Sequence, residues 1–203
     1  MSIEVVLATH NAHKVAEFQR ILGAAMPQLT VLPYDGPAPV EDGVSFEQNA
    51  LIKARAAAAH TGLPALADDS GICVDILGGA PGIFSARWSG VNDGDVDDAN
   101  RRLLLAQLAD VRPAHRGAHF SCVIAVVAPD AESRRSFEAV ASGEWPGRLT
   151  QAPAGSGGFG YDPLFVPDGF EVTAAELAPE VKNAHSHRAR AFAAAIPLLQ
   201  RLA

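Results

Sequence analysis

Two adjacent carboxylates, Asp68 and Asp69, stand at the end of an apolar run in the sequence ALADDSG of residues 65–71. Neighbouring acids repel each other and therefore need water or a cation. Magnesium takes oxygen ligands, often one or two carboxylates together with water and substrate phosphates. Asp69 and Glu41 could supply such ligands, and Asp68 could instead contact a lysine, because consecutive strand residues point to opposite sides. The run Asp-Asp-Ser-Gly is equally typical of a turn without any chemical role.

A second segment that could carry chemistry is Thr-His-Asn-Ala-His-Lys, residues 9–14, between a predicted strand and a predicted helix. A loop that leads into a helix offers unpaired backbone N–H groups and the positive end of the helix dipole, and both suit phosphate. Asn11 can orient this loop, and Lys14 can supply a positive charge. The alternative is an ordinary turn with an asparagine cap and a solvated lysine.

A further lysine, Lys53, lies four residues after Asn49 on a predicted helix, so that both side chains share one face. Such a lysine could reach into a ligand cleft. A lysine solvated on the helix surface is the commoner arrangement.

The glycine-rich stretch GSGGFGYDP, residues 155–163, contains the spacing G-x-G-x-x-G. A dinucleotide-binding fingerprint needs an apolar strand before the glycines and a helix after them, and neither is predicted here. The sequence therefore excludes dinucleotide binding of the Rossmann type. The loop could instead present Phe159 and Tyr161, whose rings could stack on a nucleotide base, or it could be a plain structural loop.

A basic cluster follows in EVKNAHSHRAR, residues 180–190. His185 and His187 could suggest zinc, but no third nitrogen or sulfur ligand stands at a fixed spacing. Contact with an anion or a base edge from the start of a helix suits Lys182, His187 and Arg188 better. A solvated basic helix start is the alternative.

The composition limits the class of protein. The chain has 203 residues, 48% hydrophobic and 19% charged, with a net charge of −7, and we expect one domain over residues 1–203. A negative net charge disfavours binding to a nucleic-acid polymer, whereas a small polyanion would need local lysines, arginines or a metal ion. The absence of a long apolar run, of a basic leader and of a cysteine framework predicts a cytoplasmic protein that does not bind membranes.

Hydrophobic periodicity predicts mixed α/β structure with a largely continuous core. We expect the acids at 68 and 69 near the end of a strand, where ligands bind in open α/β sheets. The predicted strands cover 3–8, 29–34, the apolar run before Asp68, and 117–128 with 134–145 as an antiparallel pair around a Pro129-Asp130 turn. The predicted helices cover 12–23 with Gly23 as a stop, a capping-box helix from Ser45 to about His60, about 95–108, and a last helix capped by Ser186 and kinked at Pro197.

Taken together, these segments resemble the inosine triphosphate pyrophosphatases, also called Ham1-like or non-canonical purine NTP pyrophosphatases. Five motifs occur in order over nearly the whole chain. They are Thr9, Asn11 and Lys14 of the opening S/T-x-N-x-x-K; Gln48–Ala54, where Gln48 replaces the usual Glu; Ala67–Arg87 of the ADDSG…SAR block, with Ile72 for Leu; GGFGYDP at 157–163; and Ser-His-Arg at 186–188.

The resemblance implies a fold, a reaction and a cofactor. The fold would be the elongated two-lobed α/β structure of the ITPase (Maf/Ham1-like) type, with a mixed sheet, an active-site cleft between the lobes, and a homodimer. The reaction would be the Mg²⁺-dependent hydrolysis of ITP, dITP and XTP to the nucleoside monophosphate and pyrophosphate, which cleanses the nucleotide pool.

The resemblance also implies roles for individual residues. Glu41 and Asp69 would hold Mg²⁺, with Asp42 in place of Glu41 if the loop aligns differently. Phe159 would stack on the purine, while His187 and Arg188 would donate to its 6-oxygen and so reject adenine. Which of the adjacent acids accepts the proton stays open, because they titrate as a pair. The catalytic residues would be Asp69, Asp68, Lys14 and Lys53, and the substrate-binding residues Thr9, His10, Asn11, Lys14, Ser70, Phe159, Gly160, Tyr161, Asp162, Lys182, His187 and Arg188.

Three other functions can be distinguished from nucleoside-triphosphate pyrophosphatase activity. A pyrophosphatase for pyrimidine nucleotides on a similar fold would be distinguished by substrate profiling. A nucleotide-binding regulator without turnover should lack an acid or a lysine of the set, and none is missing. A phosphoaspartate phosphatase would need D-x-D after its first strand, where this chain has Thr-His-Asn.

Overall fold

The computed structural model describes residues 3–129 and 137–202 and shows a six-stranded sheet with helices. The strand order is β2-β1-β3-β4-β5-β6. Strand β1 pairs in parallel with β2 and β3, whereas β5 and β6 are antiparallel. The sheet is therefore mixed, and the prediction of a mixed α/β fold is confirmed. The strands are β1 Ile3–Leu7, β2 Leu29–Pro33, β3 Ala65–Val74, β4 Gly117–Ala128, β5 Phe137–Leu149 and β6 Phe165–Pro167, and the helices are α1 Ala12–Ala25, α2 Phe46–Thr61, α3 Val96–Gln107, α4 Pro179–His185 and α5 His187–Leu199.

Helix α2 begins and ends where its capping residues predict. The Ser45 hydroxyl accepts a hydrogen bond from the Gln48 N–H at 3.2 Å, as in a capping box. Gly62 ends the helix in the left-handed conformation, with φ of 72°, and donates its N–H to the Ala58 carbonyl. These contacts satisfy backbone groups that a helix end leaves unpaired. The predicted boundaries of α2 are confirmed to within about two residues.

The prediction that Gly23 stops the first helix is wrong, because α1 continues to Ala25. A glycine inside a helix costs up to about 1 kcal/mol relative to alanine. Burial of Phe18, Leu22 and Met26, each 1% exposed, outweighs that cost. Tertiary packing rather than local propensity therefore sets the end of this helix.

The acids at 68 and 69 lie in the middle of β3 rather than near its end, and the turn interpretation of Asp-Asp-Ser-Gly is also wrong. The strand continues to Val74, because Ile72 and Val74 are fully buried. Gly71 is required by a close approach: a Cβ there would lie 2.4 Å from Ser85 Oγ. Ser85 in turn accepts a hydrogen bond from the Ile72 N–H at 3.0 Å. The glycine that suggested a turn thus admits a neighbouring segment against an extended strand.

The later elements match their predictions in part. Helix α3 begins close to the predicted residue 95, and the Asp95 carboxylate caps it by accepting from the Asp98 N–H at 2.9 Å. Strands β4 and β5 are neighbours in the sheet, and β5 runs to Leu149. Asp130 of the predicted turn and residues 134–136 of the predicted second strand lie outside the described residues. Helix α4, which ends just before the cap at Ser186, was not predicted as a separate element.

The chain forms two compact units, each with its own core. Unit 1 comprises residues 1–69, 122–143 and 190–203 and has two buried clusters, one with Leu7, Phe18, Leu66 and Phe192 and the other with Tyr34 and Val123. Unit 2 comprises residues 70–121 and 144–189 and packs Ile72, Leu104, Trp145 and Phe165. In the ranges the structure describes, no helix is both long and apolar enough to span a bilayer.

Cys73 and Cys122 are both buried, and they form no disulfide. Burial, together with the nearby charges of Glu144 and Asp75, raises the pKa of the Cys73 thiol to about 11. This thiol is therefore protonated at neutral pH, and we assign it no chemical role.

Candidate functional site

Three charged residues of unit 1 meet at the ammonium group of Lys53. Its Nζ lies 3.0 Å from Glu41 Oε2 and 3.2 Å from Asp69 Oδ1. Asn49 donates to the other oxygen of Asp69 at 3.3 Å. The expectation that Asn49 and Lys53 share a helix face is thus confirmed, and both side chains hold the same carboxylate. We call Lys14, Glu41, Asn49, Lys53, Asp68 and Asp69 the acid–lysine cluster.

The loop that carries Glu41 is tied to the same helix. The side-chain oxygen of Asn49 accepts a hydrogen bond from the Gly43 N–H at 2.9 Å. A Cβ on Gly43 would come within 2.6 Å of that oxygen, so only glycine allows this approach. Asn49 therefore positions both the loop and Asp69. It is Glu41, not its neighbour Asp42, that the loop brings to Lys53.

The second lysine of the cluster pairs with the second acid. Lys14 Nζ lies 2.6 Å from Asp68 Oδ1, and the Asp68 side chain is only 4% exposed. Asp68 and Asp69 thus contact different lysines, as the alternation of side chains along a strand predicts. A buried carboxylate is costly unless it is paired, and Lys14 supplies the compensating charge.

Burial and charge act together on Asp69 and Lys53. Burial raises the pKa of Asp69, and the charge of Glu41 adds to this shift, although Lys53 and Asn49 oppose it. Burial alone would lower the pKa of Lys53, but the carboxylates of Asp69 and Glu41 outweigh burial and raise it. Lys53 is therefore a permanent cation, and Asp69 is a stronger base than an ordinary aspartate.

Backbone N–H groups of the loop at residues 9–14 already donate hydrogen bonds within the loop. Asn11 accepts the Lys14 N–H through its carbonyl and its side-chain oxygen, so the helix-cap interpretation holds. The Asn11 N–H in turn donates to Thr9 Oγ1 at 3.2 Å. The His10 ring donates to the Gly36 carbonyl at 2.9 Å, which joins this loop to residue 36.

The donors of the acid–lysine cluster fit a magnesium ion. Glu41 and Asp69 present hard carboxylate oxygens to a single cation, the Lys53 ammonium, so their oxygens already converge. Within residues 3–129 and 137–202, no three side chains of His, Cys, Asp or Glu form a metal cage. Mg²⁺ does not require one, because it commonly uses one or two carboxylates with water and phosphate oxygens.

A second group of predicted residues meets in unit 2, around the exposed ring of Phe159. Lys182 Nζ lies 5.4 Å and Arg188 Cζ 5.1 Å from the ring centroid, within cation–π range. Lys182 also pairs with the buried carboxylate of Asp162, which accepts the Phe159 N–H at 2.8 Å. We call Phe159, Asp162, Lys182 and Arg188 the aromatic–cation cluster.

The other predicted residues of unit 2 lie in different settings. His187 is buried and stacks on Phe120, with ring centroids 4.9 Å apart. Tyr161 is also buried, and its hydroxyl donates to the Ser85 carbonyl at 2.9 Å, so its ring cannot stack on a ligand as Phe159 can. Ser70 is half-buried in β3, next to Asp69 in the chain.

Sequence reasoning missed two residues that contact the glycine-rich loop. Asp97 and Arg101 of α3 bind the N–H and the carbonyl of Gly160. Their spacing of four residues gives them one helix face, but a charged pair at that spacing is usually a solvated surface pair. Only the tertiary structure shows what they touch.

Comparison with known proteins identifies the family. The model of the Ham1 family matches residues 5–198. This chain belongs to the Ham1 family. The match includes every residue of the acid–lysine cluster and of the aromatic–cation cluster, so the resemblance expected from the five motifs is confirmed.

Similar Ham1 proteins support this assignment along the whole chain. A dITP/XTP pyrophosphatase of Leifsonia xyli subsp. xyli is 62% identical over 200 residues, which are 98% of this chain and 97% of that protein. A dITP/XTP pyrophosphatase of Streptomyces coelicolor is 52% identical over 202 residues, 98% of both proteins.

Two solved structures share the fold. The nucleoside-triphosphatase, or dITP/XTP pyrophosphatase, of Mycobacterium abscessus has a TM-score of 0.80 at 46% identity and covers 96% of this chain and 100% of its own. A HAM1 protein from Coxiella burnetii has a TM-score of 0.86 at 39% identity and covers 98% of this chain and 99% of its own. The expected ITPase-type fold is therefore confirmed.

Proposed function

We propose that this Ham1 protein hydrolyses dITP, ITP and XTP to the nucleoside monophosphate and pyrophosphate, and so removes deaminated purines from the nucleotide pool. The observation that carries the proposal is the acid–lysine cluster, in which both lysines and two of the three acids belong to the family motifs and the third acid, Glu41, contacts Lys53. The names of relatives that are 62% and 52% identical agree with this substrate class.

The charge of the substrate explains the lysines. A triphosphate carries about four negative charges, and attack at its α-phosphorus requires that charge to be neutralised. Lys14, Lys53 and Lys182 can meet this demand in a chain whose net charge is −7. Thr9, His10, Asn11 and Ser70 would add hydrogen bonds to the phosphates or the sugar.

Mg²⁺ is the cofactor of this proposal, with Glu41 and Asp69 as its protein ligands. When bound, the ion supplies positive charge to the phosphate oxygens and makes water more acidic. Asp69 would accept the proton of the attacking water. Asp68 would act by holding Lys14, with which it is paired.

The base would be read by residues of unit 2. Phe159 is 60% exposed and free to stack on a purine, with backbone groups of Gly160, Tyr161 and Asp162 at its edge. Arg188 Nε is buried, and among the described residues no acceptor binds it, so it can donate to the 6-oxygen of hypoxanthine or xanthine. His187 would donate beside it. Adenine has an amino donor at that position and would leave these donors unpaired.

The setting of the enzyme follows from the same resemblance. We propose a cytoplasmic homodimer whose partner molecule is a small nucleotide, with no nucleic-acid polymer and no membrane. The net charge of −7 supports the exclusion of polymers. Light scattering on the purified protein would test the dimer.

The test of the proposed function separates two products. The purified protein is given ITP, XTP, GTP or ATP with Mg²⁺ or with a chelator, and pyrophosphate and orthophosphate are measured independently. We expect metal-dependent pyrophosphate release that is far faster from ITP and XTP. Orthophosphate release would overturn the proposed reaction, and equal rates on all four substrates would overturn the proposed specificity. No hydrolysis of any of the four would favour a nucleotide-binding protein without turnover.

A further inference from the structure

Two charged side chains of helix α3 bind the two backbone groups of Gly160 in the glycine-rich loop, one on the peptide group before this residue and one on the peptide group after it. Asp97 Oδ2 accepts the Gly160 N–H at 2.7 Å, and Arg101 Nη1 donates to the Gly160 carbonyl at 2.8 Å. Both bonds involve an ionised group and are therefore stronger than ordinary backbone bonds. Because they lie four residues apart, Asp97 and Arg101 reach the loop from one face of α3.

We call Asp97 and Arg101 the clamp, and the residue directly before Gly160 is the exposed aromatic Phe159. Its own N–H is held by Asp162 at 2.8 Å, and the following residue, Gly160, is held by Asp97 and Arg101. The side chain nevertheless stays 60% exposed. An aromatic ring that is open to solvent while its backbone is fixed on both sides is preorganised to stack on a ligand, and preorganisation lowers the entropic cost of binding.

Gly160 itself needs the clamp. Its φ of 59° lies in the left-handed region, and a Cβ there would meet nothing within 4 Å. No neighbouring atom therefore confines this glycine by crowding, and glycine is the most flexible residue of the chain. The hydrogen bonds to Asp97 and Arg101 replace the missing packing.

The same face of α3 also fixes the segment beneath the loop. Asn100 donates to the Ser85 and Ala86 carbonyls at 3.3 and 3.2 Å, and the Tyr161 hydroxyl donates to the Ser85 carbonyl. Asn100 and Tyr161 would still bind the Ser85–Ala86 segment if Asp97 or Arg101 were lost. Loss of Asp97 or Arg101 should therefore make the loop mobile at Gly160 without unfolding unit 2.

We propose that Asp97 and Arg101 are positioning residues that set the affinity for the purine by fixing the two peptide groups that flank Gly160, directly after Phe159. This inference rests on the proposed function, in which Phe159 stacks on the base. Neither residue belongs to the acid–lysine cluster. Their loss should therefore weaken nucleotide binding and leave the chemical step nearly unchanged.

The first experiment reports on the clamp without any nucleotide. Hydrogen–deuterium exchange of the loop peptide 155–162 is compared in the wild type and in the D97A, R101A and R102A variants. Arg102 is the matched control, because it lies on the same helix and its side chain is 79% exposed. Like Arg101, it forms an ion pair with Asp98, at 2.7 Å for Arg102 and 3.7 Å for Arg101. We expect exchange about tenfold faster in D97A and R101A only, the effect of losing one net hydrogen bond. Equal exchange in all three variants would overturn the proposal.

The second experiment measures the consequence for binding. With dITP as substrate, D97A and R101A should raise KM about tenfold and change kcat less than about twofold. D97N and R101K retain an acceptor and a donor but weaken the charge-assisted bonds, so they should raise KM by about threefold. They carry the test if the alanine variants fail to fold, and an unchanged KM in both would then overturn the proposal. A residue that only stabilised the fold would instead lower the amount of active enzyme at constant KM, and that result would overturn the proposal.

Failure of the proposed function would look different from failure of this inference. If wild-type protein released no pyrophosphate from dITP or XTP, the proposed function would be wrong, while the exchange experiment would still decide whether Asp97 and Arg101 fix the loop. If the wild type turned over dITP and the clamp variants kept its KM, only the present inference would fall.

Discussion

Lys53 Nζ lies 3.0 Å from Glu41 Oε2 and 3.2 Å from Asp69 Oδ1, so one ammonium group joins a loop acid to a strand acid. Asn49, one helical turn earlier, binds the other oxygen of Asp69. Helix α2 therefore orients both carboxylates before any ligand arrives. Groups fixed in advance need no reorganisation during the reaction, which is where a large part of enzymatic rate enhancement arises.

Replacing Asp69 by asparagine should abolish most of the turnover. The amide keeps the shape and can still contact Lys53 through its oxygen, but it cannot accept a proton. We expect kcat on dITP to fall by about 10²- to 10⁴-fold, the usual effect of losing a general base. Pyrophosphate release measures kcat, and circular dichroism checks that the fold is intact. Near-normal turnover would remove Asp69 from the mechanism.

The two acids of the loop should differ sharply. Both acids are exposed, but it is Glu41 that contacts Lys53. E41Q should raise the Mg²⁺ concentration needed for half-maximal activity by about tenfold or more, because even outer-shell changes at metal sites have effects of that size. D42N is the matched control and should behave as the wild type in the same Mg²⁺ titration. A shift confined to D42N would mean that the ligands were assigned wrongly.

The strong sequence signals were those in which side-chain type and spacing act locally. The Ser45 cap, the shared face of Asn49 and Lys53, and the alternation of Asp68 and Asp69 all follow from short-range geometry, and the structure contains each of them. The turn predicted at Gly71 was wrong, because this glycine lies in an extended strand and its missing side chain allows Ser85 to approach closely.

Long-range contacts could not be predicted for a related reason. Asp97 and Arg101 bind Gly160, some sixty residues later, and Lys182 pairs with Asp162, twenty residues before it. Charged residues on a helix surface have the same local pattern whether water or a loop covers them. The family resemblance predicted Lys182 and Phe159 as substrate-binding residues, but it did not predict that they contact each other.

The pair of Lys14 and buried Asp68 should couple in stability. K14M leaves the Asp68 carboxylate buried without its cation and should lower the free energy of unfolding by about 1–3 kcal/mol, less than the cost for a fully buried pair because the Lys14 side chain is 26% exposed. Adding D68N should recover most of that loss. Urea unfolding of the two single variants and the double variant gives the coupling energy. Strictly additive single effects would show that the pair contributes no coupling.

Arg188 should control the discrimination between purines. R188A removes the donor that we propose for the 6-oxygen and should lower the ratio of kcat/KM for ITP over that for ATP by about tenfold or more, since unpaired buried polar groups dominate such discrimination. R190A, an exposed arginine two residues further along α5, is the control and should keep the ratio. If R188A also kept it, the base would be read by other residues.

The most direct test of the proposed reaction follows the oxygen of water. Wild-type protein hydrolyses dITP in ¹⁸O-labelled water that contains Mg²⁺, and mass spectrometry locates the ¹⁸O label in the products. Attack at the α-phosphorus predicts label in the deoxynucleoside monophosphate and unlabelled pyrophosphate. Label in pyrophosphate or in orthophosphate would place the attack at another phosphorus and would contradict the reaction assigned to the acid–lysine cluster.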